Sequence, residues 1–389
     1  MITDRGWSVL GAACALIVLW IVFGEIELAA VAGLLAACVG VGLARRARPT
    51  VGLTRHLEPA RVHEGDKVTV LLELSNAGRS HIFNLEVDEP VGDLGRARFG
   101  VGSLGPGDQA TAGYQVVCRP RGVYPIGPAS VSVSDAMGLT LSSASVGETD
   151  RLVVYPQVEL LLTTPLVRGH DPTTHASRPE FSHRGGEEFY TLREYQTGDE
   201  LRRVHWPSSA KRDELMIRQL ETPWQSKGLV IVDTRTSSYL GGPDFEKAVT
   251  GAASLVHLLA GAGFDADLWI GGGSSLPLHD YHTAMEALAL VKADDGLDLL
   301  AAAAHLRHRD IGGGLFVVTG MGDPSIVQLV QYLSSGRPKV VVMTVGEAIS
   351  ATSGVLLRMG VSVVSVTVGG SWTEAWRRST ERGWSTVSA

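Results

Sequence analysis

The chain has 389 residues, more than one ordinary domain of roughly 100 to 200, so two or three structural units are expected. Its formal net charge of -7 supplies no basic field of the kind that draws proteins onto nucleic acid, which disfavours a nucleic-acid-binding function. Cys14, Cys38 and Cys118 lie far apart without a CxxC spacing. They encode neither a disulfide framework nor a zinc ribbon, which suits a reducing compartment.

Two uncharged apolar segments, residues 7–23 and 28–44, follow each other near the N-terminus. Each is at the short end of the roughly 17 to 25 residues that cross a bilayer, so we predict a transmembrane helical hairpin within residues 1–48. A secretory signal peptide is the alternative. Its apolar region should be shorter, however, and the second segment here would act as a stop-transfer sequence.

Positive charges flank this hairpin on one side only. Arg5 precedes the first segment, and Arg45, Arg46 and Arg48 follow the second, whereas the turn at residues 24–27 has no Lys or Arg. By the positive-inside rule both ends face the cytoplasm. We therefore expect a multi-pass protein of the inner (plasma) membrane whose soluble domains are cytoplasmic.

Residues 49–156 contain short runs of strand length with partial period-two alternation, separated by clusters of Gly, Pro, Asn and Asp. This pattern predicts an all-β sandwich domain. The clearest strands are residues 67–74, 81–87, 112–118 and 129–133.

From residue 225 to 389 the pattern changes to apolar strands that alternate with helices, the signature of a doubly wound α/β domain whose sheet is covered on both faces. The predicted strands are residues 228–232, 266–270, 315–318, 340–344 and 361–368. The predicted helices are residues 244–262, 282–292, 325–334 and 348–359. Ligands of such sheets bind at the carboxyl ends of the strands.

The first of these strands ends in Asp233, and Ser237 follows four residues later. This turn resembles the metal-binding turn of the von Willebrand factor A domain, which implies a divalent cation held by Asp233 and Ser237. Arg235 stands where that family has a serine, and a guanidinium repels a cation. We therefore expect a degenerate site without a cofactor, in which Arg235 pairs with Asp233. Mg²⁺ binding, with Thr283 as a further hydroxyl, is the alternative.

Residues 157–224 form a predicted linker whose segment 187–221 is crowded with arginines and acids. Base stacking by His205 and Trp206, a phosphate cradle near Arg184 and a histidine metal cluster are all possible functions of this segment. Acidic neighbours, the missing phosphate-loop motif and irregular histidine spacing argue against each in turn. An ion-pair network that docks the segment on the α/β domain is the preferred interpretation. We expect Trp206 to be buried there.

The same segment resembles the domain of unknown function 58 (DUF58) family. The resemblance is carried by Glu188-Phe189, Leu192, Arg193, Glu194, Tyr195, Gly198, Asp199, Leu201, Arg202, His205, Trp206, Ser209, Ala210 and Leu215 to Arg218. Residues 121–124, 127–128 and 135–139 resemble what precedes the signature in that family. Met137 and Pro207 are departures from its pattern. No catalytic residue can be carried over from the family.

The resemblance implies a bacterial membrane protein encoded beside a MoxR-type AAA+ ATPase and a transglutaminase-like membrane protein, and so a partner in assembly or envelope maturation. We expect a non-enzymatic scaffold or adaptor that docks through Arg193, Glu194, Tyr195, Gly198, Asp199, Arg202, His205, Trp206, Ser209 and Arg218. A metal-dependent interaction module is the second hypothesis. A hydrolase that uses His205 is the third.

Overall fold

The computed structural model describes residues 1–44, 50–162, 191–195, 204–212, 214–219, 227–271, 275–294, 299–306, 314–321, 323–334, 339–346 and 351–385. The chain divides into two compact units. The first comprises Met1–Val158 with Met285–Lys292, and the second comprises Glu159–Ala284 with Ala293–Ala389.

The first unit begins with two helices, α1 (Asp4–Phe23) and α2 (Ile26–Ala44), which pack against each other. Thr3 caps the start of α1 by accepting a hydrogen bond from the backbone of Gly6, and Gly24 ends it in a left-handed conformation at φ +76°. Both helices are long and apolar enough to cross a membrane. Most of their apolar side chains are exposed, as lipid-facing side chains are.

Three glycines of α2, Gly33, Gly40 and Gly42, differ in how closely other residues approach them. A Cβ atom at Gly33 or Gly40 would meet no described atom within 4 Å, so neither marks a close approach. At Gly42 the Cβ atom would lie 2.9 Å from a carboxylate oxygen of Asp135. Of these three glycines only Gly42 is closely approached, and the residues that approach it belong to the following β-sheet region.

That region, residues 51–155, contains β1 (Val51–Glu58), β2 (Arg61–His63), β3 (Lys67–Asn76), β4 (Ile82–Val91), β5 (Gly95–Leu104), β6 (Gln109–Val117), β7 (Gly122–Ile126), β8 (Ala129–Ser134), β9 (Leu141–Val146) and β10 (Asp150–Tyr155). The strand orders are β1-β3-β6, β2-β10-β7 and β5-β4-β8-β9. Alternate residues of β3, Val68 to Leu74, are fully buried and share one core with β4 and β8. Each predicted strand overlaps an observed one, namely β3, β4, β6 and β8.

A buried ionic cluster crosses this core. Arg55 donates from Nε to Oε1 of Glu89 at 2.9 Å, and its Nη1 contacts Oδ2 of Asp150. Tyr114 donates its hydroxyl to the other carboxylate oxygen of Glu89. Burial raises the pKa of Tyr114, and the adjacent Glu89 carboxylate raises it further. Pattern reasoning missed this cluster because its members are distant in sequence.

The family signature region forms a small antiparallel ladder of β11 (Thr191–Glu194) and β12 (Met216–Gln219), with α3 (Trp206–Arg212) between them in sequence. Val204 bridges to Ile217, and both are buried together with Met216. The short apolar run at the end of the signature is therefore a strand, as its composition indicates.

The α/β part contains β13 (Lys227–Val232), β14 (Asp265–Ile270), β15 (Ser275–Pro277), β16 (Gly314–Thr319), β17 (Lys339–Val345) and β18 (Ser362–Val366) in the order β15-β14-β13-β16-β17-β18. The pairs are parallel except β14 with β15. The helices are α4 (Gly242–Gly261), α5 (Tyr281–Leu290), α6 (Leu299–Leu306), α7 (Pro324–Leu333), α8 (Ala351–Arg358) and α9 (Trp372–Ser385).

Helices cover both faces of this sheet, as the apolar strands predict. On one face, Leu229 and Ile231 share a core with buried residues of α6, α7 and α8. Val230 and Val232 alternate with them and are also fully buried, and α4 packs along β13, β14, β16 and β17. The carboxyl ends of β13 and β16 consequently meet at one edge of a buried sheet.

Glu159, the first residue of the second unit, is tied to the last helix. Its Oε2 accepts hydrogen bonds from the backbone nitrogen of Trp372 and from Oγ of Ser371, both at 2.7 Å, and its Oε1 pairs with Nζ of Lys247 at 2.6 Å. Partial burial raises the pKa of Glu159, but the bonds from Lys247 and Ser371 outweigh it and lower the pKa overall. A carboxylate at a helix N-terminus also complements the helix dipole.

Candidate functional site

The candidate site lies where β13 ends. Val232 pairs with Val318 of β16, so the next residues of the two strands, Asp233 and Thr319, lie side by side at the carboxyl edge of the sheet. Both are fully buried. A buried carboxylate at this edge requires partners, because burial without them disfavours the charged form.

Four side-chain hydrogen bonds supply those partners. Arg235 donates from Nε to Oδ1 of Asp233 at 3.0 Å and from Nη2 to Oδ2 at 2.9 Å, a two-pronged ion pair. Ser238 donates its hydroxyl to Oδ2 at 2.7 Å, and Thr319 donates to the same oxygen at 2.8 Å. The predicted pairing of Arg235 with Asp233 is present.

Arg235 also reaches a second carboxylate. Its Nη1 lies 2.7 Å from Oδ2 of Asp323 and 2.9 Å from Oγ of Ser325. Burial lowers the pKa of Arg235, but hydrogen bonds and charge interactions with Asp233 and Asp323 raise it above its ordinary value. The Ser325 hydroxyl, with help from Arg235, lowers the pKa of Asp323. Two carboxylates and one guanidinium leave this cluster with a net negative charge.

The loop around Asp233 is shaped by a 3₁₀ turn, Thr236–Ser238. Tyr239 follows it and donates its hydroxyl to the backbone carbonyl of Asp233, and burial raises the pKa of Tyr239. On the neighbouring loop, a Cβ atom at Gly320 would lie only 1.7 Å from the carbonyl oxygen of Ser238. Position 320 therefore has to be glycine for the two loops to approach this closely.

The hydroxyl that reaches Asp233 comes from Ser238 and not from Ser237, which is exposed. The 3₁₀ turn explains the one-residue shift, since it aims position 238 at the sheet edge. Thr283 hydrogen-bonds with Asp280 at the start of α5, which places its hydroxyl in a helix cap. Of the two residues expected to hold a cation, only Asp233 is part of this cluster.

The oxygens of Asp233, Ser238, Thr319 and Asp323 are the kind that hard divalent cations prefer. Here the carboxylates of Asp233 and Asp323 both bind the Arg235 guanidinium, a fixed positive charge, and Ser238 and Thr319 donate their hydroxyls to Asp233. Among the residues that the structure describes, no group of three or more His, Cys, Asp or Glu side chains forms a further metal cluster.

The signature residues lie outside the described residues, in the β11–β12 ladder, or at α3. Gly198, Asp199 and Arg202 lie outside the described residues. Arg193 and Glu194 belong to β11 and Arg218 to β12, where Arg193 pairs with Ile217 and Arg218 with Leu192 along the backbone. Tyr195 extends the same ladder by donating its backbone N–H to Leu215 at 2.8 Å.

His205 and Ser209 hold α3 to the ladder. Nδ1 of His205 lies 2.8 Å from Oγ of Ser208, and the backbone N–H of His205 donates to Met216 at 2.7 Å. Ser209 donates its hydroxyl to the carbonyl of His205 and accepts a hydrogen bond from the backbone of Met216, at 3.0 and 2.9 Å. These contacts give His205 and Ser209 architectural roles in the turn.

Trp206 departs from the expectation of burial. Its side chain is 66% exposed, although it begins α3 in the middle of the signature. The apolar contacts of the ladder are made by Val204, Met216 and Ile217, which are buried without it. The expectation is wrong because a helix of this length can turn its first side chain to solvent while its backbone is held by His205 and Ser209.

Several solved structures show weak likeness to this chain. A CARDB domain of the PF1109 protein from Pyrococcus furiosus is 16% identical, covers 25% of this chain and 94% of its own, and has a TM-score of 0.20. The putative ApaA protein from Bordetella pertussis is 12% identical over 28% of this chain and 98% of its own, with a TM-score of 0.21. Likeness at this level carries no argument about fold or function.

Sequence comparison is more informative. The uncharacterized protein YeaD of Bacillus subtilis (strain 168) is 27% identical over 221 residues, which are 54% of this chain and 54% of YeaD. The chain thus spans about half the length of this curated relative. Residues 191–318 match the model of the family described as protein of unknown function DUF58. That stretch runs from the signature ladder through Asp233 and Arg235 to β16, and this part of the chain is similar to the DUF58 family.

Proposed function

We propose that this protein is a membrane-anchored scaffold or adaptor that binds protein partners on the cytoplasmic side of the inner membrane. The observation that carries the proposal is the exposed indole of Trp206 in the family signature. Trp is among the residues most enriched at the energetic centres of protein interfaces, because a large apolar ring with one hydrogen-bond donor gains much from burial in a partner's pocket.

The way α3 is anchored supports this use of Trp206. His205 fixes the helix to β12 through its backbone N–H and Ser209 does so through its hydroxyl, so the indole is presented from a preorganised turn. A rigid anchor loses little conformational entropy when a partner binds, which favours affinity. Leu215, at the adjoining end of the ladder, adds exposed apolar surface.

The closed Asp233 cluster supports engagement without a metal. In a von Willebrand factor A-like domain, the fold that the sequence resembles, a partner's carboxylate would complete the coordination of a cation at this edge. Arg235 here satisfies both Asp233 and Asp323 internally.

Membrane anchoring is supported by α1 and α2, and a cytoplasmic location by Arg5 before them and by the arginines at positions 45, 46 and 48. The resemblance to the DUF58 family suggests partners by class, a MoxR-type AAA+ ATPase and a transglutaminase-like membrane protein. The role would be in ATPase-driven assembly or envelope maturation.

A metal-dependent interaction module is the second candidate function. It is favoured by one observation: the hydroxyls of Ser238 and Thr319 meet at Oδ2 of Asp233, which Arg235 links to the second carboxylate, Asp323. In that case a partner or a shift of Arg235 would have to open the cluster to Mg²⁺.

The test is capture of a purified MoxR-type ATPase by the full chain in its native membrane. Trp206→Ala should weaken capture by roughly 30-fold, the equivalent of about 2 kcal/mol for an interface hot spot. Lys211→Ala is the matched control, since Lys211 is exposed on the same helix. Equal capture by both variants would contradict the proposal, and loss of capture on chelation of Mg²⁺ would favour the second candidate.

A further inference from the structure

A turn of the β-sheet region, residues 135–140, contacts both ends of the helical hairpin. The backbone N–H of Thr3 donates to the carbonyl of Leu139 at 3.0 Å, and the Thr3 hydroxyl donates to the carbonyl of Gly138 at 2.7 Å. On the other helix, Thr140 donates its hydroxyl to the carbonyl of Gly42 at 3.4 Å. The turn therefore touches the first residues of α1 and the last turn of α2 at once.

Glycines make this approach possible on both helices. A Cβ atom at Gly6 would lie 2.3 Å from the carbonyl oxygen of Leu139, closer than side-chain carbons are ever found. A Cβ atom at Gly42 would lie 2.9 Å from a carboxylate oxygen of Asp135 and 3.0 Å from the methyl group of Thr140. The turn lies directly on the helix backbones at these two positions.

The turn is held in shape from within. Oδ1 of Asp135 accepts hydrogen bonds from the backbone of Leu139 at 2.6 Å and of Thr140 at 3.0 Å, and both of those residues are buried. Met137, which lies between Asp135 and Leu139 in sequence, is 63% exposed. One large apolar side chain thus projects from a fixed turn.

The depth of this turn follows from helix geometry. Residues 3 to 7, the N-cap and first turn of α1, span about 6 Å along the helix axis, at about 1.5 Å per residue. They define a layer at the N-terminal end of α1. Trp7 is the last residue of this layer and is exposed, in the place where aromatic side chains sit at a membrane interface. Arg5 lies in the same layer, with its guanidinium 3.8 Å from the Cβ position of Gly138, where it can meet lipid phosphate.

We propose that the 135–140 turn is a membrane-contacting element, with the Met137 side chain in the headgroup-to-acyl boundary of the phospholipid bilayer beside the hairpin. A single exposed methionine is ordinary on a protein surface. Its attachment to both hairpin ends, in the layer of Arg5 and Trp7, is what assigns it to lipid. The inference rests on the proposed membrane anchoring and adds that the β-sheet region is held against the bilayer.

The test uses the full chain in vesicles that contain radiolabelled phosphatidylethanolamine, with a photo-crosslinking benzoylphenylalanine at one position at a time. A probe at Met137 should acquire labelled lipid, as should a probe at Ile21 within α1. A probe at Val117 should acquire several-fold less. Val117 is also exposed, but it lies at the other end of the sheet. It pairs with Lys67 at the start of β3, whereas the start of β1 pairs with Asn76 at the end of β3.

Labelling at Ile21 without labelling at Met137 overturns this inference and leaves the anchor standing. If Ile21 also stays unlabelled, the membrane anchoring itself fails. Labelling of Val117 as strong as that of Met137 also overturns the inference, because lipid contact would then be general. As a second variant, Gly6→Val should lower labelling at Met137 several-fold while labelling at Ile21 is unchanged. Unchanged labelling at Met137 would show that the hairpin contact does not hold the turn at the bilayer.

Discussion

Arg235 binds the carboxylate of Asp233 through two hydrogen bonds, Nε to Oδ1 at 3.0 Å and Nη2 to Oδ2 at 2.9 Å. Only one residue, Thr234, separates them in sequence, so the pair closes a local loop at the end of β13. Its consequence for cation binding is open to direct measurement.

The substitution Arg235→Ser should convert this ion pair into a cation site. Without the guanidinium, Asp233 is left buried and uncompensated, at a cost of roughly 3 to 5 kcal/mol in the free energy of unfolding. Mg²⁺ should restore part of this loss, by about 2.7 kcal/mol at a concentration 100 times its dissociation constant. Thermal melts with and without Mg²⁺ measure both effects. Arg235→Lys keeps the charge and should show no Mg²⁺ response, and a wild-type chain that Mg²⁺ stabilises equally would refute the closed-site interpretation.

Truncation of Trp206 and of Trp376 should differ strongly in its effect on the free energy of unfolding. Trp206→Ala should change the free energy of unfolding by no more than about 0.5 kcal/mol, as is usual for an exposed position. Trp376 is fully buried in α9, and its indole N–H donates to the carbonyl of Leu162 at 3.0 Å, so Trp376→Ala should cost roughly 3 to 5 kcal/mol. Urea denaturation of both variants decides the matter. Comparable destabilisation by the two would mean that Trp206 is a core residue after all.

Glu159 should make the stability of the second unit depend on pH. Because its pKa is lowered in the folded state, its contribution is present above the unfolded value of about 4.3 and is lost as the pH falls through the folded value. Wild type should therefore exceed Glu159→Gln in unfolding free energy at pH 7, with the difference shrinking below about pH 4. Glu381→Gln, at an exposed pair with Arg377, is the control and should show little difference at either pH. A difference for Glu159→Gln that stays constant with pH would contradict the assignment.

The buried cluster of the β-sheet region should be sensitive to loss of its cation. Arg55→Met leaves the fully buried Glu89 carboxylate without its partner and should lower the free energy of unfolding by roughly 3 to 5 kcal/mol. Arg98→Met, at an exposed pair with Asp88, should have little effect. Chemical denaturation of the full chain in detergent compares them. Equal stability of the two variants would show that the Arg55 pair contributes no more than a surface contact.

The apolar patterns of the sequence predicted the helical hairpin, the β-sheet region and most elements of the α/β part, although β15 and α6 were missed. Strands such as residues 228–232 are buried on both faces and therefore read as continuous apolar runs. Strands β1 and β9 were missed, since polar and partly exposed residues interrupt their pattern. Helix α9 was missed as well, because its composition is mostly polar.

At the candidate site, the pairing of Arg235 with Asp233 could be predicted because the two residues are two positions apart in sequence and opposite in charge. The role of Ser238 depended on a 3₁₀ turn that no local signal revealed, and that of Thr319 on the register between β13 and β16. The exposure of Trp206 could not be predicted either. Whether one aromatic side chain is buried depends on which neighbouring residues occupy the core, and here Val204, Met216 and Ile217 occupy it.

The bond between Glu159 and the start of α9 has a consequence for synthesis of the protein on the ribosome. Glu159 opens the second unit, yet the backbone N–H of Trp372 that it accepts from is made more than 200 residues later. A contact of such sequence separation forms late and slows folding. The second unit therefore remains incompletely closed until nearly the whole chain has emerged, and during that interval the nascent chain is most exposed to chaperones and proteases.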